Sequence, residues 1–485
     1  MKTVGIIERY QKKYQIKLGF VPTRRETFSD TAFRLDKAAE TKKMTEAQLT
    51  DMGVDFVNID FLNKERLLYR SRDAEAVAEY FRQEKVDALF IAHMNFGCEE
   101  AVCRLASMIK KPVLLWAVRD DAPEPEGYRF RDAQCGVFAS SKVLMRFGVP
   151  FTYIENCRVE EDTFAQGVRD FLAAAGVAKA MHAPRIGQIS VRPAAFWSVK
   201  SNEAELLERF GVEVVPITLV EMQKRFQGIL EKKDGCFQEE LANILGKANQ
   251  EIVGRDAVER ICAMKLAVRE WAEEENLSAA ATQCWAPFTD ISGIAPCYLM
   301  GDSTDEGFPI VCENDIHGAL TSIMALGANK ASEPPFFADL TGRHPTNDNA
   351  ELLWHCGVYP PSLAGDKGVT IGCHQGKGFK GAGQFEMRRG DITLLRFDAL
   401  RGEYRLLFGE GRTTEGPYSK GTYVWAEFHD WPAWERKFVC GPYIHHCTGI
   451  YGKYAHVFME AVKYLDGVDP DPVYPNREQL ERRLR

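Results

Sequence analysis

The stretch IVCENDIHGALTSIMAL, residues 310–326, sets Glu313, Asp315 and His317 in quick succession where a short apolar run gives way to helical spacing. A carboxylate at a helix start is kept ionised by the helix dipole and can hold a cation. On a helix that includes Glu313, His317 lies one turn on along the same face and completes a local oxygen and nitrogen pair; taken alone, an acidic residue such as Glu313 at a helix start is a cap more often than a ligand. Asp339 ends the buried-looking run PPFFADL, at the kind of strand end where α/β proteins place their sites. His355 lies in LLWHCG, and His445 and His446 are adjacent in GPYIHHCTGIYG. Neighbours on an extended segment point to opposite faces, so one of the pair faces a given ion. Two carboxylates with one or two imidazoles make a mixed shell for a divalent ion such as Mn²⁺ or Mg²⁺, whereas a thiolate-rich shell suits zinc or iron–sulfur chemistry.

The elements that must position these groups fall into three stretches. From Ile16 to about Asp170, short apolar runs (IKLGFVP, DALFIAHM, PVLLWAV) alternate with amphipathic segments, the βαβ rhythm of a parallel sheet. The same rhythm resumes near Arg185 with IGQISV and VEVVPI, a long helical region and SAAATQ. After about Thr341 the strands shorten (GVTIGC, DITLLRF, TYVWAEF) and turn residues multiply, which predicts an antiparallel, barrel-like region closed by a helix from about Tyr451. We therefore expect three domains: residues 1–172, α/β; residues 173–340, α/β and carrying the carboxylates; and residues 341–485, β-rich and carrying the histidine ligand.

Composition narrows the class of function. The 485 residues are 45% hydrophobic and 27% charged, ordinary for a globular protein. The net charge of −8, with basic and acidic residues interleaved, excludes a nucleic-acid footprint and points to a small-molecule substrate. The N-terminus has no apolar signal core and no later run nears the roughly 18 apolar residues of a membrane span, so a soluble cytoplasmic protein is expected. Thirteen cysteines include no C-x-x-C pair and read as reduced thiols, not as a structural zinc site.

Several motifs resemble the metal-dependent L-fucose and L-arabinose isomerases. PTRRETF and AHMNFGCEEAV are similar to that family's N-terminal turns, KPVLLWAV to its Lys-Pro-apolar-Trp strand, ATQCWAPF to its Gln-x-Trp strand, and PIVCENDIHGALT to its acidic helix start. The resemblance covers most of the chain. It implies two Rossmann-like parallel-sheet domains followed by a β-rich barrel-like domain. It also makes Glu313 and Asp339 both metal ligands and the proton-transfer pair. His446, or else His445, becomes the imidazole ligand, and His355 stands where arabinose isomerases have a further one. It further implies Mn²⁺ (or Mg²⁺ or Co²⁺) with no organic cofactor, and a closed homo-oligomer, a hexamer, with active sites between subunits. Arg25, Gln283, Trp285 and His445 are then candidates to hold the sugar.

Aldose–ketose isomerisation requires a C–H next to a carbonyl to become acidic. A cation gripping O1 and O2 of the open-chain sugar achieves this by stabilising the cis-enediolate. One carboxylate removes the C2 proton while its partner exchanges protons with the oxygens and C1, the order between Glu313 and Asp339 being left open. The main expectation for the substrate is a sugar like L-fucose, D-arabinose or L-arabinose. One stretch departs from the family: GCHQGKGFKGAGQF adds His374, Lys377 and Lys380 among glycines, which suits an anionic group and raises a sulfonated or phosphorylated hexose such as sulfoquinovose as the alternative. A non-catalytic sugar-binding protein and a metal-dependent hydrolase are the rivals from other classes.

Overall fold

A computed structural model describes residues 3–27, 33–376 and 378–483, and it divides the chain into two compact units. The first unit, Gln15–Lys179, is built on five parallel strands: β1 (Lys17–Thr23), β2 (Asp55–Val57), β3 (Ala88–His93), β4 (Val113–Ala117) and β5 (Phe151–Tyr153). Their order is β2-β1-β3-β4-β5. Strands β3 and β4 are buried along their whole length, as expected where helices cover a parallel sheet and a continuous apolar run replaces alternation.

The second unit is Ala180–Glu481 with the helix Thr3–Tyr14, and it holds two sheets. One is parallel: β6 (Arg185–Ile189), β7 (Glu213–Ile217), β8 (Ala279–Thr282) and β9 (Ile310–Cys312), in the order β7-β6-β8-β9. Both parallel sheets thus share the flavodoxin-like order of a doubly wound layer, so the α/β expectation holds while the strand order of a Rossmann fold is not seen. Strand β8 is nearly all alanine, and the entirely buried helix Ile316–Ala328 packs against this small-residue surface.

The remaining strands are β10 (Phe336–Arg343), β11 (Ala350–His355), β12 (Thr370–Cys373), β13 (Lys380–Glu386), β14 (Asp391–Leu400), β15 (Glu403–Thr414), β16 (Thr422–Phe428), β17 (His446–Tyr451) and β18 (Val468–Pro472). Six of them, β16-β11-β10-β17-β14-β15, close on themselves through antiparallel β15–β16 pairing, so the expected barrel is complete and has no free edge among its six staves. The glycine-rich hairpin β12–β13 joins from outside by parallel pairing of β13 with β16. The closing helix begins at Ala455 rather than Tyr451, because Gly452 at φ 111° turns the chain out of β17 first. Among the described residues no helix is long and apolar enough to cross a membrane.

Inside the barrel Phe336 lies over its cross-strand partner Gly449, where a Cβ would come within 2.1 Å of the ring. Gly449→Ala is expected to destabilise the fold by about 1–3 kcal/mol, the range for forcing a methyl into a packed core, read as a lower denaturant midpoint at unchanged m.

Candidate active site

Strand β9 leads into the Ile316–Ala328 helix through an unusual turn. Glu313 (φ 62°) and Asn314 (φ 56°) both adopt left-handed backbone without being glycine. Such residues cost roughly 1–2 kcal/mol each and persist where surrounding contacts impose them. Here Asn314 is fixed at both ends: its backbone N–H donates to Thr282 O, and its side-chain amide donates to Ile189 O. Asp315 then caps the helix, its Oδ1 accepting the Gly318 N–H at 2.9 Å.

That turn breaks the expected Glu313–His317 pair. Because the helix starts only at Ile316, Glu313 is not on its face, and His317 points elsewhere, with Nδ1 3.0 Å from Asp398 Oδ1.

Glu313 meets the barrel instead. Asp339 of β10 and His446 at the start of β17 are directly opposed in the strand register, so their side chains share one side of the sheet. His446 Nε2 lies 3.0 Å from Glu313 Oε2 and 3.5 Å from Asp339 Oδ1. His355, at the end of β11, brings Nε2 to 3.7 Å from Asp339 Oδ1, and His445 Nε2 stands 3.9 Å from the same oxygen. Asp339 Oδ1, His355 Nε2 and His446 Nε2 are buried, and none has a well-directed hydrogen-bond partner. Three buried polar atoms facing one another without such partners are chemically suited to hold a ligand.

The two buried imidazoles carry their protons differently. Asp315 is fully buried, yet the Arg396 guanidinium and the His446 ring outweigh the burial and hold its carboxyl far below the usual range. It is therefore ionised, and His446 Nδ1, 2.8 Å away, donates to it. Neutral His446 thus keeps its lone pair on Nε2, the tautomer of a metal-binding histidine backed by a carboxylate. His355 is held the other way round: Nδ1 lies 2.9 Å from the Cys356 backbone N and 3.3 Å from its Sγ while Nε2 faces Asp339. Burial lowers its pKa, but Asp339 and Cys356 outweigh the burial and hold it well above the ordinary range, so Nε2 carries a proton.

The charges follow from this packing. Burial lowers the His446 pKa, but Asp315 and Glu313 outweigh it and raise it to about 9. At neutral pH a second proton therefore occupies Nε2 between the carboxylates. Burial raises Glu313, and the imidazoles of His446 and His355 more than offset it, leaving its carboxyl below the ordinary range. Behind the site, Arg396 forks onto Asp315 (2.5 and 3.1 Å) and also donates to Asp398 at 2.9 Å, a fully buried chain ending at His317.

Of the other expected residues, Trp285 donates its indole N–H to Glu313 Oε1 at 3.3 Å and stands edge-on to Phe196, whose ring is stacked on His446. Phe196, and with it the loop after β6, was not anticipated. Gln283 is held by the Ser190 hydroxyl at 3.0 Å rather than by the cluster. Lys380 is exposed at the start of β13, and Lys377 lies outside the described residues. Arg25 belongs to the first unit, where its guanidinium lies over the Phe96 ring at the carboxyl end of the sheet.

In the second unit a parallel α/β layer leads into a closed barrel and gathers carboxylates and an imidazole where a strand turn meets the barrel wall, a grouping chemically able to move protons on a polar substrate. Residues 19–182 match the family model described as fucose/sulfoquinovose isomerase, N-terminal domain. The chain is 25% identical to a sulfoquinovose isomerase of Priestia aryabhattai, over 75% of this chain and 80% of that one. It is 28% identical to that of Alkalicoccus urumqiensis and 26% identical to that of Clostridium sp. (strain MSTE9), each over 68% of this chain and 73% of the relative. The chain is thus similar to the fucose-isomerase-like family, and these relatives indicate a sugar isomerase of the aldose–ketose type. The non-catalytic and hydrolytic alternatives are set aside.

Proposed function

We propose that this enzyme interconverts the sulfonated aldose sulfoquinovose and its 2-ketose. The observation that carries this is the name shared by its relatives, sulfoquinovose isomerase, along alignments that span most of both chains. The neutral L-fucose or L-arabinose substrate expected from the motifs yields to the anionic alternative. The glycine-rich hairpin agrees with it: His374 comes within 4.8 Å of Cys356, the neighbour of His355, and Lys380 opens the returning strand.

The donor set fits a divalent cation of the Mn²⁺ class. Glu313, Asp339 and the His446 Nε2 lone pair supply hard oxygen and imidazole ligands. In this reading His355, with its proton on Nε2, donates a hydrogen bond instead of ligating. A bound cation supplies Lewis acidity that polarises the carbonyl end of the opened sugar. The chain itself does the rest: one of Glu313 and Asp339 takes the C2 proton and delivers it to C1, and its partner moves the hydroxyl proton between O1 and O2. His355 Nε2–H steadies the Asp339 oxygen or the sugar oxygen beside it, and Trp285 fixes Glu313 Oε1. As in the family it resembles, the active assembly is a closed homo-oligomer.

The test is a panel of sulfoquinovose, L-fucose, D-arabinose and L-arabinose with Mn²⁺ in D₂O. Ketose formation and solvent deuterium at C1 or C2 are expected with sulfoquinovose at a kcat/KM about 100-fold or more above the neutral sugars, the difference of about 2.7 kcal/mol that one well-met charge supplies. Equal turnover of L-fucose would sink the substrate assignment.

A pH prediction follows from His446. Below about 9 its ring is protonated in the cation-free protein, and a cation must displace that proton. Mn²⁺ affinity is therefore expected to fall as pH drops below that value, by up to about tenfold per unit for one proton displaced. Calorimetric binding enthalpies at pH 7 in buffers of different ionisation heat should show about one proton released per ion.

A further inference from the structure

A second group of ligand-type side chains lies beside the carboxylate site, and its two thiols take no part in the chemistry proposed above. Cys297 begins the helix Cys297–Asp305, Cys356 follows His355 at the end of β11, and His374 stands in the β12–β13 turn. Each offers a donor atom within 4.8 Å of the other two. The sulfurs of Cys297 and Cys356 are 3.6 Å apart. Two thiolates on a tetrahedral ion, with metal–sulfur bonds of about 2.3 Å, are separated by about 3.8 Å, the edge of that tetrahedron. Cys312, directly before Glu313, forms another such group with His355 and Cys356, so Cys356 is common to both sets. Cys297 and Cys356 lie on separate elements, which is why no motif in the linear spacing reveals them.

We propose that Cys297, Cys356 and His374 form a site for a borderline-soft divalent cation of the zinc class, separate from the carboxylate site. Donor chemistry sorts the two: thiolate and imidazole select zinc, while the paired carboxylates select a harder ion. The two sites share the His355–Cys356 dipeptide. An ion at Cys356 therefore fixes the backbone N–H that His355 Nδ1 accepts, and makes His355 a rigid part of the neighbouring site. The glycine-rich hairpin is anchored by the same ion through His374.

The test uses the purified full chain, stripped by a chelator and titrated with Co²⁺ alone. Thiolate-to-cobalt charge-transfer absorption in the near ultraviolet is expected, lost in Cys297→Ser and Cys356→Ser and kept in Glu313→Gln. His374→Gln should weaken the ion that gives this absorption at least tenfold. X-ray absorption on the wild-type protein with one equivalent of Zn²⁺ removes any dependence on how the variants fold, and two sulfur neighbours at about 2.3 Å are expected. A shell of nitrogen and oxygen alone overturns the proposal. So does a Cys297–Cys356 disulfide formed under mild peroxide in a protein that gives no cobalt–thiolate absorption, since the pair would then be a redox couple.

Discussion

Glu313→Gln is expected to lower the isomerisation rate about 10⁴-fold, the upper range for loss of a general acid–base group, with the fold intact. The substitution removes a charge from the donor set and a proton acceptor from the reaction at once. The amide still accepts the Trp285 indole N–H and keeps the size of the side chain, so the strained turn at residues 313 and 314, held by Asn314, has no cause to relax. Rate and structure should therefore separate: circular dichroism and the denaturant midpoint stay near wild type while product formation and deuterium uptake disappear together. A variant that retained more than a tenth of the wild-type rate would remove Glu313 from the chemistry. One that isomerised slowly but exchanged deuterium at full rate would leave it a role in the second half of the reaction only.

Much of this site was legible in the chain because its residues sit at element ends, where rigid strands meet open turns. Glu313 and His446 are such positions, and the family resemblance ordered them with Asp339; Asp339 itself does not end a strand as expected but lies inside β10, paired on both sides in the barrel wall. The strands β3, β4 and β14 were equally readable, since each is buried almost throughout and so reads as a short apolar run bounded by turn residues. What stayed hidden was whatever depends on a backbone angle or on side-chain convergence from distant segments. Helical spacing put His317 beside Glu313, but two left-handed residues undo that spacing, and no local preference of Glu or Asn announces them. Arg396 and Asp398 looked like ordinary strand residues in DITLLRFDAL. Two charges on one face of an otherwise apolar run were the available signal that a buried partner such as Asp315 had to exist. Asp315 itself passed for a helix cap, which it is, while its other oxygen governs His446.

That double duty gives the second large expectation, for Asp315→Asn. Asparagine caps a helix start as well as aspartate does, so the Gly318 N–H stays satisfied and the helix is not the source of the loss. The buried Arg396 guanidinium keeps only Asp398 as a charged partner, and an incompletely compensated buried charge costs about 3–5 kcal/mol. His446 loses more than stability. An amide offers either an oxygen or an N–H to Nδ1, and the N–H orientation moves the ring proton to Nε2, which takes away the lone pair that faces Glu313 and Asp339. Mn²⁺ affinity is therefore expected to fall about 10–100-fold, the usual effect of removing a carboxylate behind a metal-binding histidine. The two losses are read separately, by urea denaturation of the chelator-treated protein and by Mn²⁺ titration under conditions where the variant is folded. Loss of stability with undiminished affinity would show that packing against Phe337 and Phe196, and not the Asp315 carboxylate, sets the His446 ring.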